Sequence, residues 1–388
     1  MPENIITDTP TLAAFCHRLA DAEFITVDTE FMRESTYWPI LCLAQVGGPD
    51  EARAIDALAD GIDLAPLFEL LSNPKVLKVF HAARQDMEIF ALLMDSLPAP
   101  LFDTQVAAMV CGFGDSVGYE TLVAKLAKAS VDKSSRFTDW SLRPLSPRQI
   151  DYALGDVTHL RVAYEKLARK LSANGHESWL SEEMALLTNP ATYSPDPELV
   201  FRRIKARSPS PRTLALLREL AAWRELEARR LNVPRNRVLR DEALLEIAHH
   251  APATTDNLSR TRGLGRRMAE GTAGQAILDA VRRGQAVPDA DCPRPQSKPT
   301  LPRGLGPLID LLKVLLNMKC EENQVAKKLV ASSADMERIA ADGDAADVPA
   351  LRGWRRQVFG EDAIRLRAGA TALAAHGKQL KLVSLDPS

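Results

Sequence analysis

Two carboxylates inside an apolar segment constrain this chain more than any other feature. Asp28 and Glu30 stand in segment 24–31, whose other residues mostly favour a β-strand. Side chains two positions apart in a strand point to the same face, so both carboxylates project together from a buried element. Carboxylates are costly to bury unless they are paired or bound to a cation. The segment therefore predicts an acidic site built onto a strand.

Two further acidic residues and a tyrosine complete the set. Asp86 ends the sequence HAARQD, just after the apolar run 76–80. Asp156 lies four residues after Tyr152 in QIDYALGDV, which places the two on one face of a helix. Carboxylate oxygens of this kind suit Mg²⁺ or Mn²⁺. The four acidic residues therefore predict a metal site with a tyrosine beside it.

The order and spacing of these residues resemble the DEDD 3′→5′ exonucleases with tyrosine in the last motif, most closely the ribonuclease D family. The motifs are VDTEFMRE at 27–34, HAARQD at 81–86 and RPLSPRQIDYALGDV at 143–157. The resemblance runs over most of residues 1–170. It implies an α/β ribonuclease H-like domain, and an enzyme that releases 5′-mononucleotides one at a time from an RNA 3′ end. By the same resemblance, the expected substrates are tRNA precursors and other small structured RNAs.

The resemblance also implies roles for single residues. Asp28, Glu30 and Asp156 are expected to hold one divalent ion, and Asp28 to bridge to a second ion near Asp86. Two such ions clamp the attacking and leaving oxygens of an in-line displacement at phosphorus. Tyr152 is expected to aim the attacking water. The expected cofactors are therefore two Mg²⁺ or Mn²⁺ ions.

Residues beside these motifs are candidates for substrate contact. Phe31, Arg33 and Gln45 flank the first motif and are predicted to line the pocket for the terminal nucleotide. His81 opens the second motif and is predicted to touch the substrate, with a satisfied or helix-capping histidine as the alternative.

Charge is divided unevenly along the chain. Residues 1–190 contain 16 basic and 27 acidic residues, whereas residues 191–388 contain 33 and 24. The stretch 202–240 has 12 Lys and Arg against 3 acidic residues. Positive charge of this density favours a polyanion, with a plain solvated surface as the alternative. RNA contacts are therefore predicted at four arginines of this stretch: Arg229, Arg230, Arg235 and Arg237.

The 388 residues suggest two or three domains at ~100–200 residues each. An exonuclease domain is predicted at 1–195, with three early strands and then alternating strands and helices. Its predicted strands are 25–31, 40–46, 52–55, 76–80 and 101–103, and its predicted helices are 11–22, 82–93, 104–110, 119–126 and 147–171. Strand signals end near residue 193, and the Pro-rich segment 288–306 is predicted to be a linker.

Two small all-α units are predicted in the second half, at 208–287 and 300–376, followed by a loose tail. The first resembles the HRDC domain at 223–238 and 241–248. Segment 238–248 aligns with 330–340 at a fixed offset, and each is followed by an Arg-Gly pair. This weak repeat predicts that the second unit is a divergent copy of the first.

Composition narrows the class of protein. The five cysteines lack the C-x-x-C spacing of a metal site and are predicted to be free thiols in a reducing, cytoplasmic compartment. No apolar run approaches the ~18 residues of a membrane span. The expected partner is RNA, with no membrane and no stable protein partner implied.

The alternatives to an exoribonuclease are a proofreading-type DNA 3′→5′ exonuclease and a catalytically inactive nucleic-acid-binding or helicase accessory protein. No G-x-x-x-x-G-K-[ST] phosphate loop is present, which argues against a helicase engine.

Overall fold

The first part of the chain folds around one six-stranded sheet. The computed structural model describes residues 4–94, 96–132, 134–136, 138–295 and 301–385. The strands are β1 (Ile5–Ile6), β2 (Phe24–Met32), β3 (Ile40–Gly47), β4 (Ala52–Asp56), β5 (Leu77–Phe80) and β6 (Leu101–Asp103), in the order β1-β4-β3-β2-β5-β6. The β2-β3 and β3-β4 pairs are antiparallel, and the β1-β4, β2-β5 and β5-β6 pairs are parallel. A three-stranded meander continued by parallel strands is the predicted ribonuclease H-like arrangement.

Helices cover this sheet. They are α1 (Thr9–Leu19), α2 (Ala65–Ser72), α3 (Arg84–Leu93), α4 (Thr104–Val110), α5 (Tyr119–Leu126), α6 (Pro147–Asn174) and α7 (Glu177–Leu187). The predictions for α4 and α5 are confirmed, whereas β1, α2 and α7 were not predicted. The first helix begins two residues before the predicted start because Asp8 caps it by accepting a hydrogen bond from the Thr11 N–H.

The long helix α6 lies against strands β2, β3 and β4. A capping box starts it: the Ser146 side chain accepts from the Gln149 N–H, and the Gln149 side chain accepts from the Ser146 N–H. The Thr26 hydroxyl donates to the Val157 carbonyl at 2.8 Å and ties the helix to β2. Residues of α6 are thereby held over the strand that carries Asp28 and Glu30.

The second part of the chain forms two units built mainly of helices. The first contains α8 (Pro211–Leu231), α9 (Arg235–Val238), α10 (Asp241–His250), α11 (Thr255–Leu258), α12 (Arg266–Glu270) and α13 (Thr272–Ala286). The second contains α14 (Gly306–Glu322), α15 (Lys327–Val330), α16 (Ser333–Asp342), α17 (Gly353–Arg355) and α18 (Glu361–Arg367). Residues 296–300 of the predicted linker lie outside the described residues.

The internal repeat is visible in the helices. Helices α9 and α10 recur as α15 and α16 at the offset seen in the sequence. The turn before each short helix also recurs, since Asn232 and Gln324 both adopt φ of 50°. The second unit therefore repeats the local structure of the first in this region.

The end of the chain corrects the prediction of a loose tail and of a purely helical second unit. Residues after α18 form a β-hairpin of β7 (Thr371–His376) and β8 (Gln379–Ser384). Its two-residue loop starts with Gly377 at φ of 63°, which suits a tight hairpin turn. Leu373 and Leu382 pack against the core of the second helical unit, and this contact anchors the hairpin.

Both helical units contact the exonuclease unit. In the first unit, the Asn232 side chain accepts a hydrogen bond from the Trp38 N–H at 3.0 Å. In the second, the Ala326 N–H donates to the Met109 carbonyl at 2.8 Å, and Trp354 stacks on Trp179 with ring centroids 4.6 Å apart. Within the described residues, no helix combines the length and apolar character needed to cross a bilayer.

Candidate active site

Three of the four predicted carboxylates meet where α6 crosses β2. Asp28 and Glu30 project from β2, and Asp156 comes from the buried face of α6. One ligand oxygen from each residue lies within 4.8 Å of the other two. The strand period and the helix crossing thus build the acidic cluster that the sequence predicts.

Asp86 stands outside this group of three. It lies in the first turn of α3, is 6% exposed, and accepts a hydrogen bond from the Thr29 hydroxyl. Its negative charge contributes to raising the pKa of Glu30, after burial and the charges of Asp28 and Asp156. Asp86 therefore borders the cluster with one oxygen already engaged by the protein.

Burial and mutual repulsion make the cluster hard to ionise. Burial raises the pKa of Asp28 to about 7. Burial and the neighbouring carboxylates raise the pKa of Glu30 to about 9 and of Asp156 to about 8. Three negative charges this close are stable only when protons or a cation neutralise them.

The donor set fits a hard divalent cation. All three side chains offer oxygen, the ligand atom that Mg²⁺ and Mn²⁺ prefer. The Oδ1 atom of Asp156 is buried and has no hydrogen-bond partner among the described residues. A buried acceptor without a partner is costly, and a metal ion would satisfy it.

Tyr152 lies one helical turn before Asp156, as predicted. Its ring is partly buried and packs near Trp140, with centroids 6.1 Å apart. Burial, followed by the charges of Asp156, Glu30 and Asp28, raises the pKa of Tyr152 above its usual range, and a hydrogen bond with Asp156 adds to this. The hydroxyl therefore stays protonated and available as a donor beside the cluster.

Comparison with family models and with known relatives places this chain in one enzyme family. Residues 4–172 match the model described as 3′-5′ exonuclease, and residues 213–281 match the HRDC domain. A ribonuclease D from Granulibacter bethesdensis is 53% identical over 381 residues, covering 98% of this chain and 96% of the relative. A ribonuclease D from Acidiphilium cryptum is 51% identical, covering 99% and 98%. The chain belongs to the ribonuclease D family. It is accordingly a 3′→5′ exoribonuclease.

A solved member of the ribonuclease D family shares the fold over nearly the whole length. The crystal structure of Escherichia coli RNase D, described as an exoribonuclease involved in structured RNA processing, has a TM-score of 0.80 and 29% identity. The match covers 95% of this chain and 99% of that chain. It extends over both helical units as well as the exonuclease unit.

The predicted nucleotide-pocket residues occupy different settings. Gln45 pairs across the sheet with Asp28 and is fully buried, and its amide oxygen and nitrogen have no hydrogen-bond partner among the described residues. Phe31 is partly buried against the core beside the cluster. Arg33 is exposed and pairs with Glu88 at 3.2 Å. Of these three residues, Gln45 is the one whose buried polar atoms lack a partner among the described residues.

His81 is held from its Nδ1 side. That atom lies 2.9 Å from the Thr104 hydroxyl, whereas Nε2 is buried without a partner among the described residues. Burial lowers the pKa of His81 to about 4, so the ring is neutral near pH 7. Ala83 is the N-cap residue of α3, so His81 does not cap that helix.

The four predicted RNA-contacting arginines divide into two kinds. Arg229 and Arg235 both pair with the buried Glu225 and reach the Tyr37 hydroxyl at 3.1 Å. Arg230 pairs with Glu227 on the surface at 2.7 Å, and Arg237 is exposed. Two of the four are therefore engaged at the contact between units, a role that the sequence did not reveal.

Arg136 is the cation that acts on the acidic cluster. Its charge lowers the pKa of Glu30 and Asp156, although burial outweighs it in both. Its charge near the carboxylates is a feature of the folded chain alone.

Proposed function

We propose that Asp28, Glu30 and Asp156 hold a divalent ion, Mg²⁺ or Mn²⁺, and that Asp86 assists a second ion through water. The observation that carries the proposal is the approach of three carboxylate oxygens to within 4.8 Å of one another. The partnerless Asp156 Oδ1 supports it. When bound, the ions supply a water of lowered pKa and neutralise charge on the leaving 3′ oxygen.

The chain's own residues prepare the site for this chemistry. Asp28, Glu30 and Asp156 must give up their protons before they can act as ligands, because their pKa values are raised. The protonated Tyr152 hydroxyl hydrogen-bonds and orients the attacking water. Gln45 and neutral His81 offer buried polar atoms to the terminal nucleotide.

The substrates we propose are tRNA precursors and other small structured RNAs. The Escherichia coli relative is described as acting in structured RNA processing. The exposed Arg237 and the surface pair of Arg230 with Glu227 leave the first helical unit suited to phosphate contacts.

The setting we propose is the reducing cytoplasm, because the described cysteines are all free thiols.

The test is Asp28→Asn with Asp151→Asn as its matched control. Asp151 is an exposed carboxylate on α6, next to Tyr152 but outside the acidic cluster. We expect Asp28→Asn to abolish single-turnover RNA hydrolysis with RNA binding retained, because transition-state stabilisation is lost and the distant contacts are not. Asp151→Asn should cleave at the wild-type rate. Cleavage by Asp28→Asn within tenfold of wild type would remove Asp28 from the metal site.

A further inference from the structure

A cavity of about 350 Å³ lies between the exonuclease unit and the first helical unit. Residues that follow β2 line one side, and residues around α8 and α9 line the other. Its polar lining includes Arg33, Tyr37, Arg203, Arg224 and Arg235. We call this space the interdomain cavity.

The lining is positively charged beyond what its acidic neighbours offset. Its one acidic residue, Asp241, pairs with Arg224 at 2.7 Å. Arg229 and Arg235 both pair with Glu225, so the single negative charge of Glu225 balances only one of the two arginines. Arg203 is exposed and makes no ion pair with any residue that the structure describes. An anion entering the cavity therefore meets uncompensated guanidinium groups.

One buried donor in this lining lacks a partner. Arg224 is 5% exposed, and its Nη1 donates to the Leu239 carbonyl at 2.7 Å and pairs with Asp241. Its Nε has no hydrogen-bond partner among the described residues. A buried donor without an acceptor lowers stability. The cavity thus combines excess charge with an unmet hydrogen bond.

The strand of the acidic cluster leads to this cavity. Glu30 lies in the cluster and Arg33, three residues later, lines the cavity. Three residues of extended chain span roughly 10 Å, at about 3.3 Å per residue. An RNA strand with its 3′ end at the carboxylates can therefore bring an upstream phosphate to the arginines.

We infer that the interdomain cavity binds a backbone phosphate of the RNA upstream of its 3′-terminal nucleotide. Guanidinium groups match phosphate oxygens in bidentate geometry. The inference rests on the proposed function, since it uses the 3′ end held at the acidic cluster. It adds a binding site to which both units contribute.

The test compares Arg203→Gln with Arg202→Gln. The two arginines are neighbours on one 3₁₀ segment and both are exposed, but only Arg203 lines the cavity, whereas Arg202 lies over the Phe201 ring. Each change is made in Asp28→Asn protein, so that bound RNA is not consumed. Affinity for a single-stranded RNA is titrated at several salt concentrations.

We expect Arg203→Gln to weaken binding about tenfold at low salt, as for a lost charged hydrogen bond. The slope of log affinity against log salt should become shallower by ~0.7, the value for one phosphate contact on a single strand. The Arg202→Gln variant should match the Asp28→Asn protein in both RNA affinity and salt slope. Both proteins should unfold at the parent temperature because both side chains are exposed.

Equal affinities and equal salt slopes for the two variants would overturn the inference. Arg203-dependent binding of polyglutamate, with RNA binding unchanged, would assign the cavity to an acidic protein segment and would also overturn it. Hydrolysis of a dinucleotide by the wild-type protein is measured separately. Failure of that reaction would count against the proposed function, while the binding comparison would still decide the role of the cavity.

Discussion

Tyr37 donates a hydrogen bond to Glu225 across 188 residues of sequence, and the Glu225 side chain is completely buried. Burial raises the pKa of Glu225, but hydrogen bonds from Arg235 and Tyr37 and the charges of Arg235 and Arg229 outweigh it, so the net pKa is lowered. Glu225 therefore stays ionised. The Glu225 carboxylate joins the two units because it accepts hydrogen bonds from Tyr37 of the exonuclease unit and from Arg229 and Arg235 of the first helical unit.

Tyr37→Phe is expected to weaken this junction. The change removes only the hydroxyl and leaves Glu225 with its two arginines. A hydrogen bond to a charged group contributes about 1.5–3 kcal/mol, so the melting temperature should fall measurably. The matched control is Tyr164→Phe, since Tyr164 is half-buried between rings and its hydroxyl makes no hydrogen bond with the described residues. Equal melting temperatures for the two variants would show that the Tyr37 hydroxyl contributes nothing at the junction.

Arg235 and Arg237 should respond differently to replacement by Gln, although they lie on one short helix. Arg235 pairs with buried Glu225, so its loss should destabilise the protein. Arg237 is exposed, so its loss should leave stability unchanged and lower RNA affinity with a shallower salt dependence. Thermal unfolding and RNA titration of both variants separate the two roles. If Arg237→Gln bound RNA as wild type does, the predicted contact would be wrong.

Local patterns were enough to predict which residues of the site share a face of one strand or helix. Asp28 and Glu30 share a strand face, and Tyr152 and Asp156 share a helix face, because both periods are short. Their meeting required the family resemblance, since no local pattern shows that α6 crosses β2.

The contacts between units could not be predicted in this way. Arg229 and Arg235 look like polyanion contacts in the sequence, because their partner Tyr37 lies in a different unit. The hairpin after α18 was missed for another reason. Its alternation is short, and the packing of Leu373 and Leu382 that anchors it arises only in the folded chain.

The raised pKa values of the acidic cluster predict how pH affects the metal-free protein. The unfolded carboxyls ionise near pH 4, whereas folded Asp28, Asp156 and Glu30 ionise at about 7, 8 and 9. The folded state then holds more protons, so stability falls as pH rises from about 4 to about 9. Added Mg²⁺ should raise the melting temperature more at pH 8 than at pH 5.

The control for this dependence is Glu30→Gln, which removes the carboxyl with the highest pKa of the three. The melting temperature of that variant should fall less steeply with pH. A wild-type melting temperature that responds neither to pH nor to Mg²⁺ would contradict the prediction.

Tyr152→Phe should lower kcat by about 10²–10⁴-fold with little change in KM, because a positioned donor acts on the attacking water. Packing of the ring near Trp140 should survive the change. Single-turnover cleavage across pH 6–9 is the measurement, with Tyr164→Phe as the control. Wild-type rates throughout would make Tyr152 a packing residue only.

The contact between the exonuclease unit and the second helical unit limits how such chains exchange parts during evolution. Gly112 has φ of 76°, and a Cβ there would lie 2.6 Å from the Gln324 carbonyl oxygen. The contact is thus made by backbone atoms that no compensating side chain can replace. A recombinant that acquires a C-terminal unit from another protein therefore needs backbone loops at 112 and 324 that fit each other. The two segments are accordingly expected to be inherited as a pair.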